Sequence, residues 1–196
     1  MSINLNYLDQ FIRSTEKAAY GASLHIGKKD KIAADKGAVD LMRSEFNKID
    51  MNGKIVIGEG EMDEAPMLFI GENVGTKKGQ YLDIAVDPLE GTNFVANNLP
   101  NSFSILAVAE KGNLFSAPDT YMEKIAIGSN LPNNLLDLDN SVEKNISLLA
   151  EAKNTSPEKL TACLLKRERH KNIIDSLLKM NVNIKFISDG DVSGVM

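Results

Sequence analysis

Apolar residues recur at helical spacing in the first part of the chain, and this spacing predicts a long amphipathic helix over residues 3–24. A loop over residues 26–33 follows it. The next helix carries Val39, Met42 and Phe46 on its apolar face, and Asp35 falls at or near its start. The chain therefore opens with two helices before the first strand.

Short runs rich in β-branched residues predict the strands that follow. They lie at residues 55–57, 81–87, 103–109 and 113–116, with a hairpin turn at Gly112 between the last two. Residues 121–127 are predicted as a further strand and residues 128–140 as a loop that joins two subdomains. A second alternation then has a helix from Ser141, a strand at 160–165, a helix at 168–180 and a strand at 182–187. Alternating helices and strands predict a layered α/β fold.

Global composition excludes several classes of function. The chain has 196 residues, of which 43% are hydrophobic, enough for one sizeable core. A net charge of −5 argues against nucleic acid as a partner, because phosphate-backbone binding needs a concentrated basic surface. Neither a signal peptide nor an apolar run long enough for a bilayer is evident, so we expect no membrane association and a cytoplasmic location. Cys163 is alone, so it is expected to be a buried apolar residue that forms no disulfide within the chain.

The first candidate site lies in Val86–Thr92, which follows a strand-like run. Asp87 is predicted at the strand end, where Pro88 forces the chain to turn. Asp87 and Glu90 would then project from one loop, with the Thr92 hydroxyl just beyond them. Two carboxylates and a hydroxyl on a rigid turn suit divalent metals and a phosphoryl group. Taken alone, this segment is more typical of an ordinary surface turn of the Asp-Pro type.

A second acidic cluster follows the predicted strand at residues 55–57. Glu59, Glu61 and Asp63 are spaced two apart, so in an extended segment they would share one face. If the two acidic clusters meet at one sheet edge, their charge is unfavourable unless cations neutralise it. Mg²⁺ and Mn²⁺ are the cations that carboxylate oxygens suit. A solvated acidic loop is the alternative interpretation of this segment.

Several motifs together make the chain resemble the class II fructose-1,6-bisphosphatases, within the lithium-sensitive, metal-dependent sugar and inositol phosphatase superfamily. They occur in order along nearly the whole chain: Asp30–Asp35, Ile55–Met67, Asp83–Thr92, Ala117–Lys124, Arg167–His170 and Asp189–Val192. The resemblance implies a sugar-phosphatase αβαβα sandwich, represented by its N-terminal portion and the start of the second half. Residues 1–130 would form a metal-binding phosphatase domain, and residues 131–196 would begin a substrate-binding α/β subdomain.

The resemblance also implies roles for single residues. Asp35 and Glu59 would hold one metal, and Asp87 and Glu90 would hold a second, so two Mn²⁺ or Mg²⁺ ions are expected. The catalytic residues implied are Thr92, which would position the attacking water, and Asp63, beside the metals. The implied substrate contacts are Glu90, Gly91, Thr92, Tyr121, Arg167, Glu168, Arg169, Asp189, Gly190 and Asp191. The two arginines suit the phosphate that is not cleaved, because a guanidinium matches phosphate oxygens in a bidentate fork.

The function implied is hydrolysis of the 1-phosphate of fructose 1,6-bisphosphate by a divalent-metal-activated water, in gluconeogenesis. Sedoheptulose 1,7-bisphosphate is the alternative substrate, and an inositol monophosphatase fits the motifs less well. Chains of the family are longer and place a further acidic ligand in a later segment, so we interpret this chain as C-terminally truncated. A truncated, inactive homologue that acts only as a binding module is therefore a second function class. The oligomeric state stays open, with a homo-oligomer among the alternatives.

Overall fold

A computed structural model describes residues 3–59, 68–116, 121–190 and 192–196 of the chain. The chain divides into two compact units, Met1–Thr120 and Tyr121–Met196. The assignment of a metal-binding domain and a substrate-binding subdomain, divided at residue 130, stays a prediction.

Two helices form one layer of the first unit. A 3₁₀ turn at Leu5–Tyr7 leads into helix α1 at Leu8–Ser23, and helix α2 covers Lys31–Phe46. Helix α2 begins at Asp30, whose Oδ1 accepts a hydrogen bond from the backbone N–H of Ala33 at 2.9 Å, a common N-cap arrangement. The two predicted helices are therefore confirmed.

A four-stranded sheet forms the second layer of this unit. Its strands are β1 at Met51–Ile57, β2 at Asn73–Val74, β3 at Gln80–Glu90 and β4 at Phe103–Glu110, in the order β2-β1-β3-β4. Strand β1 is parallel to β3, whereas β2 and β4 are antiparallel to their neighbours. A short helix α3 at Thr92–Ala96 follows β3. The core lies between the helices and the sheet and includes Phe11, Met42, Phe46, Ile55 and Ile84.

Strand β3 is longer than the sequence predicts, and Asp87 does not mark its end. The strand continues through Pro88 to Glu90, and its pairing with β4 shifts between Asp87 and Glu90. Proline is tolerated within a sheet at such a bulge, because one residue there leaves the ladder of hydrogen bonds. Pro88 is fully buried in this position.

Two predicted strands are wrong. Residues 113–116 do not pair with another strand, so the turn at Gly112 opens no hairpin. The Gly112 N–H instead donates to Asp83 Oδ2 at 2.6 Å, and Phe115 beyond it is 78% exposed. Residues 121–127 are all exposed and form no strand, so their apolar side chains have no neighbouring strand on which to pack.

The second unit repeats an α-β-α-β order. It contains α4 at Val142–Ala152, β5 at Thr161–Leu165, α5 at Lys171–Lys179, β6 at Asn183–Ile187 and a final turn α6 at Val192–Val195. Strands β5 and β6 are parallel, which requires the crossover that α5 provides. The predicted second alternation is thus confirmed, and the whole chain has the expected α/β class.

The single cysteine is exposed, so its predicted burial is wrong. Cys163 lies on β5 between Ala162 and Leu164, which pack against the core of the second unit. Neighbouring residues of a strand point to opposite faces, so Cys163 lies on the face of β5 opposite this core.

None of the helices in the described part of the chain combines the length and apolar character that a bilayer crossing requires.

Candidate active site

The two acidic segments follow neighbouring strands of the first sheet. Strands β1 and β3 run parallel, and Ile57 pairs with Ala85. Glu59 lies two residues beyond Ile57, and Asp87 lies two residues beyond Ala85. Because paired parallel strands advance at the same rate, both acids reach the same edge of the sheet.

Glu59 is the most strongly perturbed acid at this edge. Burial, followed by the charges of Asp35 and Asp87, raises its pKa to about 8. Its Oε2 is buried and has no hydrogen-bond partner among the residues that the structure describes. Asp35 on α2 and Asp87 on β3 are thus close enough to Glu59 for their negative charges to disfavour its ionisation.

Asp35 brings a second orphaned oxygen to the same place. It lies in the second turn of α2, and burial raises the pKa of its carboxyl. Its Oδ1 is buried without a hydrogen-bond partner among residues 3–59, 68–116, 121–190 and 192–196. Burying a carboxylate oxygen in this way is costly unless a cation or a donor meets it. The two orphaned oxygens therefore fit a cation.

The bulge of β3 holds the other two predicted ligands. Asp87 Oδ1 accepts a hydrogen bond from the backbone N–H of Leu89 at 3.1 Å, which sets the turn of the bulge. Glu90 is only 4% exposed, and its carbonyl oxygen accepts from Ser102 Oγ at 2.8 Å. The bulge and the flanking strand β4 thus fix the backbone of both acids.

Gly91 joins the bulge to helix α3, which begins at Thr92. Its φ is 78°, and a Cβ atom there would lie 2.6 Å from Cδ2 of Phe94. Glycine is therefore needed for both conformation and space. Only Gly91 separates Glu90 from Thr92, and its backbone conformation fixes the position of one relative to the other.

The four acids do not form a closed ligand set. Within the described ranges, no group of three or more His, Cys, Asp or Glu side chains is arranged to hold a metal ion. The fit of a cation to this edge rests instead on the two orphaned oxygens and on the shared negative charge of Asp35, Glu59 and Asp87. Asp63, the other predicted acid of the site, lies outside the described residues.

Side-chain contacts hold Arg167 and Arg169, two of the predicted substrate residues of the second unit. Arg167 follows β5, and its Nη2 donates to the carbonyl oxygen of Ser188, just after β6, at 2.8 Å. The Arg169 guanidinium carbon lies 4.5 Å from the centre of the Tyr121 ring, a cation–π contact. Asp189 follows Ser188 directly.

Arg167 and Asp189 lie two residues beyond the carboxyl ends of the parallel strands β5 and β6, the usual place for ligands in α/β folds. Glu168 belongs to a 3₁₀ turn between Arg167 and helix α5. Gly190 is buried and has a φ of 74°, which turns the chain beyond Asp189. Asp191 lies outside the described residues.

Comparison with known proteins decides the family. The family profile described as bacterial fructose-1,6-bisphosphatase, glpX-encoded, matches residues 5–196. The chain belongs to this family. Its mixed α/β architecture is the one expected of such a phosphatase.

Curated relatives carry the name D-fructose 1,6-bisphosphatase class 2/sedoheptulose 1,7-bisphosphatase. One from Thermosynechococcus vestitus is 43% identical over 95% of this chain and 57% of its own length. Another from Synechococcus sp. is 43% identical over 96% of this chain and 56% of its own length. A third from Prochlorococcus marinus is 41% identical over 99% of this chain and 58% of its own length. The chain therefore spans somewhat more than half the length of these relatives.

Sequence reasoning missed residues of this chain that hold the site in place. A Cβ atom at Gly58 would overlap the carbonyl oxygen of Leu68, to which the Glu59 N–H donates. Lys29 donates from its backbone N–H to the Ala96 carbonyl and from Nζ to Asn97 Oδ1 at 2.8 Å, which ties the end of α3 to the loop before α2. The glycine before Glu59 was a usable signal, whereas nothing in the sequence marks Lys29 as a partner of Asn97.

Proposed function

We propose that this chain carries the metal-dependent phosphatase site of a fructose-1,6-bisphosphatase. In the reaction, a water oxygen forms a bond to the phosphorus of the 1-phosphate and the ester bond between phosphorus and the C1 oxygen breaks. The products are fructose 6-phosphate and inorganic phosphate. The observation that carries the proposal is the buried Glu59 carboxyl, coupled to Asp35 and Asp87, with orphaned oxygens on Glu59 and Asp35.

Asp35, Glu59, Asp87 and Glu90 are the residues that would hold the metal, with two Mn²⁺ or Mg²⁺ ions expected. Bound divalent cations supply neutralisation of the phosphoryl oxygens and of the leaving oxygen. The protein's own part is to present, at one sheet edge, carboxyl groups that would lose their protons when a cation binds. The buried bulge from Asp87 to Glu90 supports this role because it fixes two of the four acids on a rigid strand.

The Thr92 hydroxyl is proposed to orient the attacking water. It follows Glu90 after one residue, and Gly91 holds the turn between them. A hydroxyl can donate one hydrogen bond and accept others, so it can align a water molecule without itself changing charge. Asp63 is proposed to assist in the same step.

The second unit is proposed to hold the sugar and the phosphate that is not cleaved. Arg167 and Arg169 would bind this phosphate, and the stack of Arg169 on Tyr121 restricts where its guanidinium can point. Asp189 and Asp191 would accept hydrogen bonds from sugar hydroxyls, because ionised carboxylates are acceptors only. Glu168 and Gly190 are proposed to complete the contacts with the substrate.

The relatives favour a second substrate, because their name includes sedoheptulose 1,7-bisphosphatase. Both sugars present a primary phosphate for cleavage and a second phosphate for binding. We further propose a place in gluconeogenesis, a cytoplasmic location and a homo-oligomer. The length of the relatives keeps an inactive binding module as the competing proposal for these 196 residues.

Release of inorganic phosphate from each sugar bisphosphate, with Mn²⁺ or Mg²⁺, tests the proposed function. The chain is compared with its Asp87→Asn variant and with Asp9→Asn, a control at an exposed acid of α1. Turnover that Asp87→Asn abolishes and Asp9→Asn leaves unchanged is the expected result. A folded chain that binds the sugar bisphosphate in calorimetry and releases no phosphate contradicts the enzyme and supports the binding module.

A further inference from the structure

A two-pronged ion pair joins helix α2 to the segment beside β1. Arg43 Nε donates to Glu72 Oε1 at 2.7 Å, and Arg43 Nη2 donates to Glu72 Oε2 at 3.1 Å. The arginine side chain is 26% exposed and the glutamate side chain 13% exposed. A bidentate pair fixes both distance and orientation, and partial burial reduces its screening by salt.

Glu72 lies in the middle of a segment that follows β1 along most of its length. We call residues 68–74 the edge segment. Val74 pairs with Gly53, Ile55 exchanges backbone hydrogen bonds with Glu72 and Gly71, and Leu68 accepts from the Glu59 N–H at 3.0 Å. The first residue of the edge segment, Leu68, is therefore hydrogen-bonded to the backbone of Glu59.

Arg43 lies two turns beyond Asp35 on helix α2. The ion pair thus connects the helix that carries Asp35 to the segment that holds the Glu59 backbone. We propose that Arg43 and Glu72 are positioning residues, which set the place of Glu59 relative to Asp35. As far as it concerns metal binding, this inference rests on the proposed function.

A matched ion pair on the same helix provides the control. Glu45 accepts from Lys48 Nζ at 2.6 Å, and the Glu45 side chain is also 13% exposed. Glu45 lies in the last turn of α2 and Lys48 just beyond its C-cap, and neither is in the edge segment. Glu72→Gln and Glu45→Gln therefore remove the same charge from equally buried carboxylates, and only the first breaks the link to Glu59.

Amide hydrogen exchange of the two variants, followed by NMR, tests the positioning role directly. We expect Glu72→Gln to reduce protection of the Glu59, Ile55 and Gly71 amides roughly tenfold more than Glu45→Gln does. Arg43→Lys keeps the positive charge but cannot form the bidentate pair with Glu72, so it is expected to cause most of the same loss of amide protection. Equal protection at Glu59 in the two glutamine variants would overturn the proposal.

A Mn²⁺ titration monitored by electron paramagnetic resonance provides the second readout. The Glu72→Gln variant is expected to bind Mn²⁺ about tenfold more weakly than wild type, which is the lower end of the effect seen when residues that orient metal ligands are changed. The Glu45→Gln variant is expected to bind Mn²⁺ with wild-type affinity. Wild-type affinity in a folded Glu72→Gln chain would overturn the proposal. If wild type itself binds no Mn²⁺, the proposed function fails, and the exchange result still decides the positioning role.

Discussion

The backbone N–H of Glu59 donates to the carbonyl oxygen of Leu68 at 3.0 Å, and the chain reaches this distance because residue 58 is glycine. A Cβ atom at Gly58 would overlap the Leu68 carbonyl oxygen and lie 2.7 Å from Ile55 Cγ2. The glycine therefore allows the edge segment to close on the residue that bears the most perturbed carboxyl of the site.

Substitution of Gly58 by alanine is expected to destabilise the first unit by about 2 kcal/mol, because the added methyl must displace backbone. The same change is expected to weaken Mn²⁺ binding, since Glu59 moves with its N–H. Urea denaturation followed by circular dichroism measures the first effect, and calorimetry measures the second.

Gly128→Ala is the control for this substitution. No heavy atom of the residues that the structure describes lies within 4 Å of a Cβ atom built at Gly128. Its free energy of unfolding is expected to stay within roughly 0.5 kcal/mol of wild type. Equal losses in the two variants would show that the contact at Leu68 is not responsible.

The raised pKa of Glu59 predicts a pH dependence of stability in the presence of EDTA. Its pKa rises from 4.5 to about 8, first through burial and then through Asp35 and Asp87. Between these values the folded chain retains a proton that the unfolded chain has lost. The free energy of unfolding is therefore expected to fall as pH rises from 4.5 to about 8 and then to level off, with a total loss of roughly 3 to 5 kcal/mol for this group.

Glu59→Gln isolates that contribution, because the amide resembles the protonated acid and does not titrate. The free energy of unfolding of this variant is expected to vary less with pH than that of wild type. Near pH 8 in EDTA, the variant is expected to be more stable than wild type. Denaturation curves at intervals from pH 5 to pH 9 provide the comparison. Parallel curves for the two chains would rule out Glu59 as the source of the slope.

Because Arg169 stacks on Tyr121, we expect a substitution that keeps the positive charge at residue 169 but removes the planar guanidinium to lower the affinity for phosphate. Arg169→Lys removes the planar fork and is expected to weaken binding of fructose 6-phosphate about tenfold, roughly the value of one charge-assisted hydrogen bond. Calorimetry measures the affinity, with Arg13→Lys on the exposed face of α1 as the control. Unchanged affinity in Arg169→Lys would contradict a phosphate role for this arginine.

Local patterns were sufficient to predict the longer helices and most of the strands, but not the short helix α3 or the short strand β2. The spacing of apolar residues located α1 and α2, and β-branched runs located β1, β3 and β4. The same reasoning failed where a predicted strand had no neighbouring strand with which to pair. Residues 121–127 were predicted as a strand but remain exposed, because strand formation depends on a neighbour that local sequence does not reveal.

The site was predictable in its residue types and less so in its geometry. Two strand-end acids suggested one sheet edge, and the parallel pairing of β1 with β3 brings Glu59 and Asp87 there. The passage of β3 through Pro88 was missed, since a proline usually ends a strand. The pair between Arg43 and Glu72 joins residues 29 positions apart, and no short motif encodes such a contact.

Direct Mn²⁺ binding tests the central claim, that the acids of this sheet edge form a metal site. Isothermal titration calorimetry would compare wild type with Asp35→Asn and with Asp40→Asn, an exposed acid on the same helix that pairs with Lys36. We expect wild type and Asp40→Asn to bind Mn²⁺ with similar affinity and Asp35→Asn to bind at least about tenfold more weakly. Equal binding by all three folded chains, or no binding by wild type, would contradict the account.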